Sequence, residues 1–200
     1  GPLGVELKNN IKREWWKMIV HQRSDVIGVD AAIIMNPTVW EKSGHIEAFS
    51  DPLVECKVCH RRFREDDQKG REEHKKEEIK THGAHFPPWT EPRKFNLLVE
   101  TLLGVTEPKQ KAYLRGEITQ GAFVNFKNIV DSSRVKIPFG IAQIGKAFRN
   151  EITPGNFTFR SREFEQMELE FFVEPNDKEG NKWFDYWKGE RLKWYLSLGM

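Results

Sequence analysis

Two short runs of the chain bring arginine, aromatic and carboxylate side chains into alternation. They are Phe148-Arg149-Asn150-Glu151 and Phe159-Arg160-Ser161-Arg162-Glu163-Phe164-Glu165-Gln166-Met167-Glu168, joined by a turn containing Pro154 and Gly155. They read as two antiparallel strands linked by a loop. Successive strand side chains point to opposite faces, so Arg149 and Glu151 look the same way. On the returning strand Arg162, Phe164, Gln166 and Glu168 share one face, while Met167, Leu169 and Phe171 share the other. Such a strand buries its apolar side and presents a polar, aromatic platform. Arginines there can grip a phosphate bidentately while Phe164 stacks a base. An ordinary amphipathic hairpin with solvated charges reads the same way on pattern alone.

A second group with chemical potential is Cys56-Lys57-Val58-Cys59, followed after a charged span by His82-Gly83-Ala84-His85. Two cysteines three positions apart rarely meet disulfide geometry, and this spacing in a cytosolic protein points to metal or redox chemistry. Cys56, Cys59, His82 and His85 could close a tetrahedral structural zinc site, with His60 and His74 as further candidate ligands. CxxC with downstream histidines also arises by chance. Nothing nearby supplies a base poised for metal-assisted hydrolysis.

The elements that must position these groups follow from periodicity. Leu7, Ile11, Trp15, Met18 and Ile19 fall at helical spacing, which predicts an amphipathic helix over 5–22, broken at Ser24-Asp25. Residues 26–35 form a strand-like run ended by Asn36-Pro37. Residues 61–82 are mostly charged and read as a solvated insertion. Phe95–Glu100 is a strand candidate, 118–133 a helix, 141–148 and 162–173 the platform strands, 174–182 a polar link, and 183–198 a helix rich in Trp and Tyr. No internal repeat is present, and antiparallel strands flanked by helices argue an α+β fold.

The 200 residues, with seven Trp and fourteen Phe, suffice for one domain with a core. Charged residues make up 31% and mean hydropathy is −0.66. No apolar run approaches the ~20 residues of a membrane helix, and no signal segment opens the chain, so a soluble, cytoplasmic protein is expected. A net charge of +2 sets up no global field for nucleic acid, leaving RNA contacts to local patches.

Arg149-Asn150-Glu151, then Thr153-Pro154-Gly155-Asn156-Phe157, then Arg160 through Glu168, resemble motif 2 of class II aminoacyl-tRNA synthetases, and specifically of the dimeric glycyl-tRNA synthetases. The likeness extends to Tyr113-Leu114-Arg115-Gly116-Glu117-Ile118-Thr119-Gln120-Gly121 and to Pro138 through Gly145. It also takes in Gly1-Pro2-Leu3-Gly4-Val5-Glu6-Leu7-Lys8-Asn9-Asn10, which therefore reads as native rather than as a tag remnant. It covers nearly all of the chain except 65–90.

The resemblance implies a class II catalytic core, an antiparallel sheet flanked by helices. Residues 1–37 would form the motif 1 helix and strand that build a homodimer, 54–90 an insertion, and 139–173 the motif 2 hairpin. The implied activity is that of a glycine–tRNA ligase using ATP and Mg²⁺, with tRNA(Gly) as partner. Arg149, as catalytic residue, would neutralise the α-phosphate. Glu151 would accept from the adenine amino group and Phe164 would stack the ring. Arg160 or Arg162 would hold the β- and γ-phosphates, and Asn150 and Phe159 would complete the ATP site. Glu117 and Glu168 would grip glycine's ammonium, with Gln166 and Phe164 beside them in the glycine site and Arg64 reaching the substrate. Some members carry a second Cys pair in a zinc insertion, where this chain has histidines. The family continues to motif 3 and an anticodon-binding domain, neither of which these residues contain, so weak adenylation at best is expected of them alone. The second reading, a catalytically inert accessory or RNA-binding relative, is disfavoured because Arg149, Glu151, Phe164, Glu117 and Glu168 are all present.

Overall fold

Apolar residues at helical spacing near the start of the chain sink one stripe: Trp15 is 2% exposed and Ile19 fully buried. They belong to a helix, α1 (Pro2–Trp16), that continues into a π-helical turn, Lys17–His21. The structure, a computed structural model, describes residues 1–83, 89–152 and 154–200. The following elements are β1 (Val26–Val29), β2 (Ile34–Met35), α2 (Pro37–Lys42), α3 (His45–Ala48), β3 (Ser50–Glu55), β4 (Arg62–Arg64) and α4 (Gln68–His82). Then come β5 (Arg93–Asn96), β6 (Val99–Leu103), β7 (Gln110–Leu114), α5 (Thr119–Ser133), β8 (Phe139–Phe148), β9 (Glu163–Phe172) and α6 (Asp177–Ser197). Among the described residues no helix is long and apolar enough to cross a membrane.

This is a mixed α/β fold, and the chain divides into two compact units. The first comprises Gly1–Ala31, Gly121–Gly145 and Met167–Met200; the second comprises Ala32–Gln120 and Lys146–Gln166. The first is built on a sheet of order β1-β8-β9, with β1 parallel to β8 and Val26 opposite Gly140. Strand alternation sorts its side chains into two cores. Val26 and Ala142 pack with Trp15, Ile19, Met167, Leu169, Phe171, Trp187 and Trp194. Phe139 and Ile141 pack with Ile27, Val29, Ala122, Phe126, Ile129 and Phe172. The apolar face expected of Met167, Leu169 and Phe171 is thus a core face.

The second unit carries two antiparallel sheets, β2-β7-β6 and β4-β3-β5. Its core gathers Trp40, Leu98 and Tyr113, with Met35, Ile46 and Phe49 against them.

Four expected elements are drawn differently, each for a local reason. The run 26–35 is two strands, β1 and β2, with residues 30–33 between them. The candidate strand Phe95–Glu100 is interrupted because the Asn96 side chain turns the chain. It donates to the carbonyls of His45 and Ile46 at 3.1 and 2.7 Å and accepts from Leu98 N at 2.7 Å. The charged span 61–82 contains β4 and a 15-residue helix, α4, capped by the Asp67 side chain on Gly70 N at 3.0 Å and by left-handed Gly83. Helix α6 starts at Asp177, ahead of its aromatic stripe, because Asn176 caps Glu179 N at 2.9 Å and Asp177 and Glu179 fill the first turn.

Trp40 is fully buried whereas Val105 is fully exposed. Trp40→Ala is expected to lower stability by ~3–5 kcal/mol, and Val105→Ala to change it by less than about 0.5 kcal/mol. Chemical denaturation of both variants checks this.

Candidate nucleotide and amino-acid site

The site is built where β7 ends. Strand pairing runs out at Leu114, and the next residue, Arg115, is 1% exposed. Its backbone N donates to Ile33 O at 3.1 Å, and its carbonyl accepts from Phe148 N at 2.8 Å. Its side-chain Nε donates to Lys146 O at 2.6 Å. These bonds lay the segment 115–117 against the end of β8. The residue following Phe148, Arg149, then donates from Nε to Gly116 O at 3.2 Å.

The Arg149 guanidinium lies between two rings, 5.2 Å from the centre of Phe49 and 5.2 Å from that of Phe164. Cation–π contact with two rings holds the group in one orientation without neutralising it. Among the described residues no ion pair to Arg149 is formed. Its backbone is fixed as well: Arg149 N donates to Arg162 O at 2.9 Å and Asn150 N to Leu97 O at 2.8 Å. Of the expected ATP-site residues, then, Arg149, Asn150, Arg162 and Phe164 are brought together.

Glu117, immediately after Gly116, has its carboxylate 3.2 Å from His45 Nε2 and accepts from Gln120 Nε2 at 3.2 Å. Gln166 is half-buried, and its Oε1 is a buried acceptor with no hydrogen-bond partner. Glu168 lies on β9 in the first unit, whereas the other expected glycine-site residues belong to the second.

A second cluster of charge surrounds Glu151. Its carboxylate stands 3.9 Å from Arg160 Nε, and its carbonyl accepts from Arg162 Nε at 2.9 Å. Arg64 binds Asp66 bidentately, both bonds at 2.9 Å, and reaches Asp51 at 2.7 Å. The hydrogen bonds that Arg64 donates to Asp66, with Asp51 and Glu151 nearby, raise its guanidinium above its ordinary value, and Arg64 holds the Asp66 carboxyl below the usual range. A cavity of about 20 Å³ lies among Asp51, Leu53, Arg64, Leu97, Glu151 and Arg160. Phe159 stands apart, 87% exposed on the turn closed by the Gly155–Arg160 bridge.

Three residues at the site carry no sequence signal: His45 and Phe49, which reach it from α3 and the residue after it, and Asp51 on β3. Each meets its partner through tertiary packing, so no spacing rule finds it.

Of the expected metal ligands, Cys56 and Cys59 are brought together with His74; the ligand atoms of all three lie within 4.8 Å of one another. His82 sits on α4 with its Nε2 3.9 Å from Glu78. His85 lies outside the described residues. Cys59 is exposed as a residue, yet desolvation of its sulfur, reinforced by Glu78 and Cys56, pushes the thiol up from its ordinary value.

Compared with known proteins, the chain is 52% identical over 210 residues to the glycine–tRNA ligase of Thermobifida fusca, covering all of this chain and 45% of that protein. It is 53% identical over 221 residues to that of Geobacillus thermodenitrificans, covering all of this chain and 47% of that protein. It is 52% identical over 219 residues to that of Bifidobacterium longum, covering all of this chain and 43% of that protein. The chain spans about half the length of the curated relatives it matches. No family model matches it. The RNA binding domain of threonyl-tRNA synthetase from Cryptosporidium parvum Iowa II superposes with a TM-score of 0.47 at 18% identity, over 86% of this chain and 30% of that one.

A Cβ at Gly116 would stand 2.8 Å from Phe49 Cε1 and 3.3 Å from Leu98 Cδ2. Gly116→Ala is therefore expected to displace the ring that lies on Arg149 and to cost ~1–3 kcal/mol, read by chemical denaturation. The Arg64–Asp66 pair makes a separate prediction. Because the Asp66 carboxyl is held down in the folded chain, its stabilising effect is complete above the ordinary carboxylate value and is lost as pH falls through the lowered one. Stability curves of wild type and Asp66→Asn should differ at neutral pH and converge in acid.

Proposed function

Since the chain belongs to the glycine–tRNA ligase family, we propose that it forms part of a class II synthetase catalytic core that activates glycine with ATP and passes it to tRNA(Gly). The observation that carries this reading is Arg149, a guanidinium clamped between Phe49 and Phe164 and tied to the Gly116 carbonyl, with no carboxylate among the described residues paired to it. Such a group is preorganised for an incoming anion.

In the first step a glycine carboxylate oxygen attacks the α-phosphorus of ATP. The bond to the β-phosphate oxygen breaks and pyrophosphate leaves, giving glycyl-adenylate. A ribose hydroxyl at the tRNA 3′ end then attacks the glycyl carbonyl and releases AMP. Neither step needs a protein nucleophile, so positioning and charge stabilisation do most of the catalysis. Arg149 would meet the negative charge building on the α-phosphate. Phe164 is half-buried and, with Arg149 over its ring, could still stack an adenine. Glu151 would accept from the adenine amino group. Arg160 and Arg162, beside it, would bind the β- and γ-phosphates. Mg²⁺ arriving with the nucleotide would neutralise part of the phosphate charge.

Glycine offers an ammonium, a carboxylate and no side chain. Glu117, oriented by His45 and Gln120, would take the ammonium, and the unpartnered Gln166 Oε1 supplies a second acceptor. Selection for glycine would require walls close enough to its α-carbon to leave no room for a β-carbon. Steric exclusion discriminates against larger amino acids more strongly than attraction to one methylene, worth ~1–3 kcal/mol, would. The roles of Glu168 and Arg64 rest on the family resemblance alone, as does a homodimer built by residues 1–37 in the cytoplasm.

Glycine-dependent exchange of pyrophosphate into ATP, measured in the protein that contains this chain, tests the reading. Arg149→Ala is expected to lower the exchange rate by ~10²–10³ while leaving the fold intact by circular dichroism. Exchange driven equally by alanine, or undiminished in Arg149→Ala, would sink the proposal.

A further inference from the structure

Helix α4 is docked without a hydrophobic face. A helix of 15 residues is marginal on its own in water, and a surface helix ordinarily packs through an apolar stripe. The residues α4 buries are His74 and Glu78, and its single aliphatic residue, Ile79, is 46% exposed. Arg71 over the Trp89 ring at 5.1 Å adds a contact at the surface. His74 and Glu78 are four residues apart and so share one face. That face meets the turn between β3 and β4, where Cys56 is fully buried and Cys59 follows three residues later.

We propose that a zinc-class divalent cation, held by Cys56 Sγ, Cys59 Sγ and His74 Nε2 with the Glu78 carboxylate as fourth donor, pins α4 to this turn. The proposal does not rest on the ligase reading. Its first support is distance. Cys59 Sγ and His74 Nε2 are 3.3 Å apart, close to the ~3.6 Å that tetrahedral coordination with Zn–S of about 2.3 Å and Zn–N of about 2.05 Å demands. The second is an unbalanced carboxylate. Glu78 is 5% exposed, and its buried Oε2 has no hydrogen-bond partner; its Oε1 faces His74 Nε2 at 3.6 Å, and His82 Nε2 stands 3.9 Å from Oε2. A buried carboxylate so poorly satisfied is costly, and a cation between it and the thiols removes that cost.

The third support is orientation. The other nitrogen of the imidazole, His74 Nδ1, faces an Arg61–Glu77 pair: Arg61 Nη1 at 3.5 Å and the Glu77 carboxylate at 3.7 Å, themselves 3.3 Å apart, while the ring packs against Phe63 with centres 5.0 Å apart. Polar partners at the distal nitrogen and an aromatic face against the ring fix the plane of a ligating imidazole. The donor set, two sulfurs with one nitrogen and one oxygen, suits zinc far better than Mg²⁺ or Ca²⁺.

Metal analysis of the purified protein should find one zinc per chain. Cobalt substituted for it should give the thiolate-to-metal charge-transfer absorption of a two-cysteine site. Cys59→Ser and His74→Ala should each lose the metal. Glu78→Gln should weaken affinity against a competing chelator by at least the ~10–100-fold that loss of an outer-shell partner costs, while His82→Ala should bind normally. Chelation should speed amide hydrogen exchange across 68–82 and leave β8 and β9 unchanged. No stoichiometric zinc after expression in zinc-supplemented medium, or a cobalt spectrum without thiolate bands, would overturn the site. Loss of metal in His82→Ala with Glu78→Gln unaffected would overturn the ligand set, and exchange in α4 indifferent to chelation would overturn the pinning.

Discussion

One buried cation organises the candidate site. Arg115 is 1% exposed, and stripping a guanidinium of water costs several kcal/mol unless its donors are met. Carbonyl oxygens meet them: Lys146 O at 2.6 Å and Ala32 O at 3.5 Å, while the backbone of the same residue bonds to Ile33 and Phe148. The planar fork of arginine donors suits this many-sided attachment, and the single point charge of lysine does not. Covalent continuity does the rest. Glu117 lies two residues beyond Arg115 and Arg149 one beyond Phe148, so the knot that satisfies Arg115 also brings the segment bearing the carboxylate to the guanidinium the proposed chemistry needs.

The other arginines near the site differ from Arg149 in how much they have already committed. Arg64 is bound bidentately to Asp66 and reaches Asp51 as well, so a ligand anion would have to displace two carboxylates. Arg160 is held more loosely, 3.9 Å from Glu151 with its side chain 41% exposed, and exposed pairs of this kind contribute about 0–1 kcal/mol. Arg162 is exposed and bonded through Nε to the Glu151 carbonyl. Arg149 is oriented by aromatic faces and a neutral carbonyl, which direct its charge without cancelling it. The geometry therefore ranks the four arginines: Arg149 gains most from a phosphate, Arg160 and Arg162 can join at small cost, and Arg64 is the most expensive to redirect.

How much of this could be read from the sequence depends on whether a feature is local. Period-two alternation placed β8 and β9 well and identified Met167, Leu169 and Phe171 as a core face, because strand periodicity is carried by neighbours in the chain. Helix α5 was legible from Ile118, Ala122, Phe126 and Ile129 for the same reason. The break in Phe95–Glu100 was not, since it depends on Asn96 finding the carbonyls of a distant helix. Nor were His45 and Phe49, whose partners lie far along the chain and leave no spacing to detect. Arg149 and Glu117 were legible through family likeness, not through any pattern that places them side by side.

The charged span 61–82 illustrates why composition can mislead in one particular way. Glu and Lys are good helix formers, so a run of them reads as solvated only if apolar burial is taken as the sole means of docking. Once 68–82 is a helix, its period of 3.6 places His74, Glu78 and His82 on one stripe. The choice of histidine beside Cys56 and Cys59 then becomes a question of how far along that stripe the thiols lie. They meet its first turns, at His74, while the His82 side chain is 56% exposed at the far end. Pairing by sequence resemblance to a CxxC rhythm favours His82 and His85; pairing by helical geometry favours His74 and Glu78. The second follows the geometry of the helix, and with the proposed cation in place a helix with so little to bury would have a fixed place to lie.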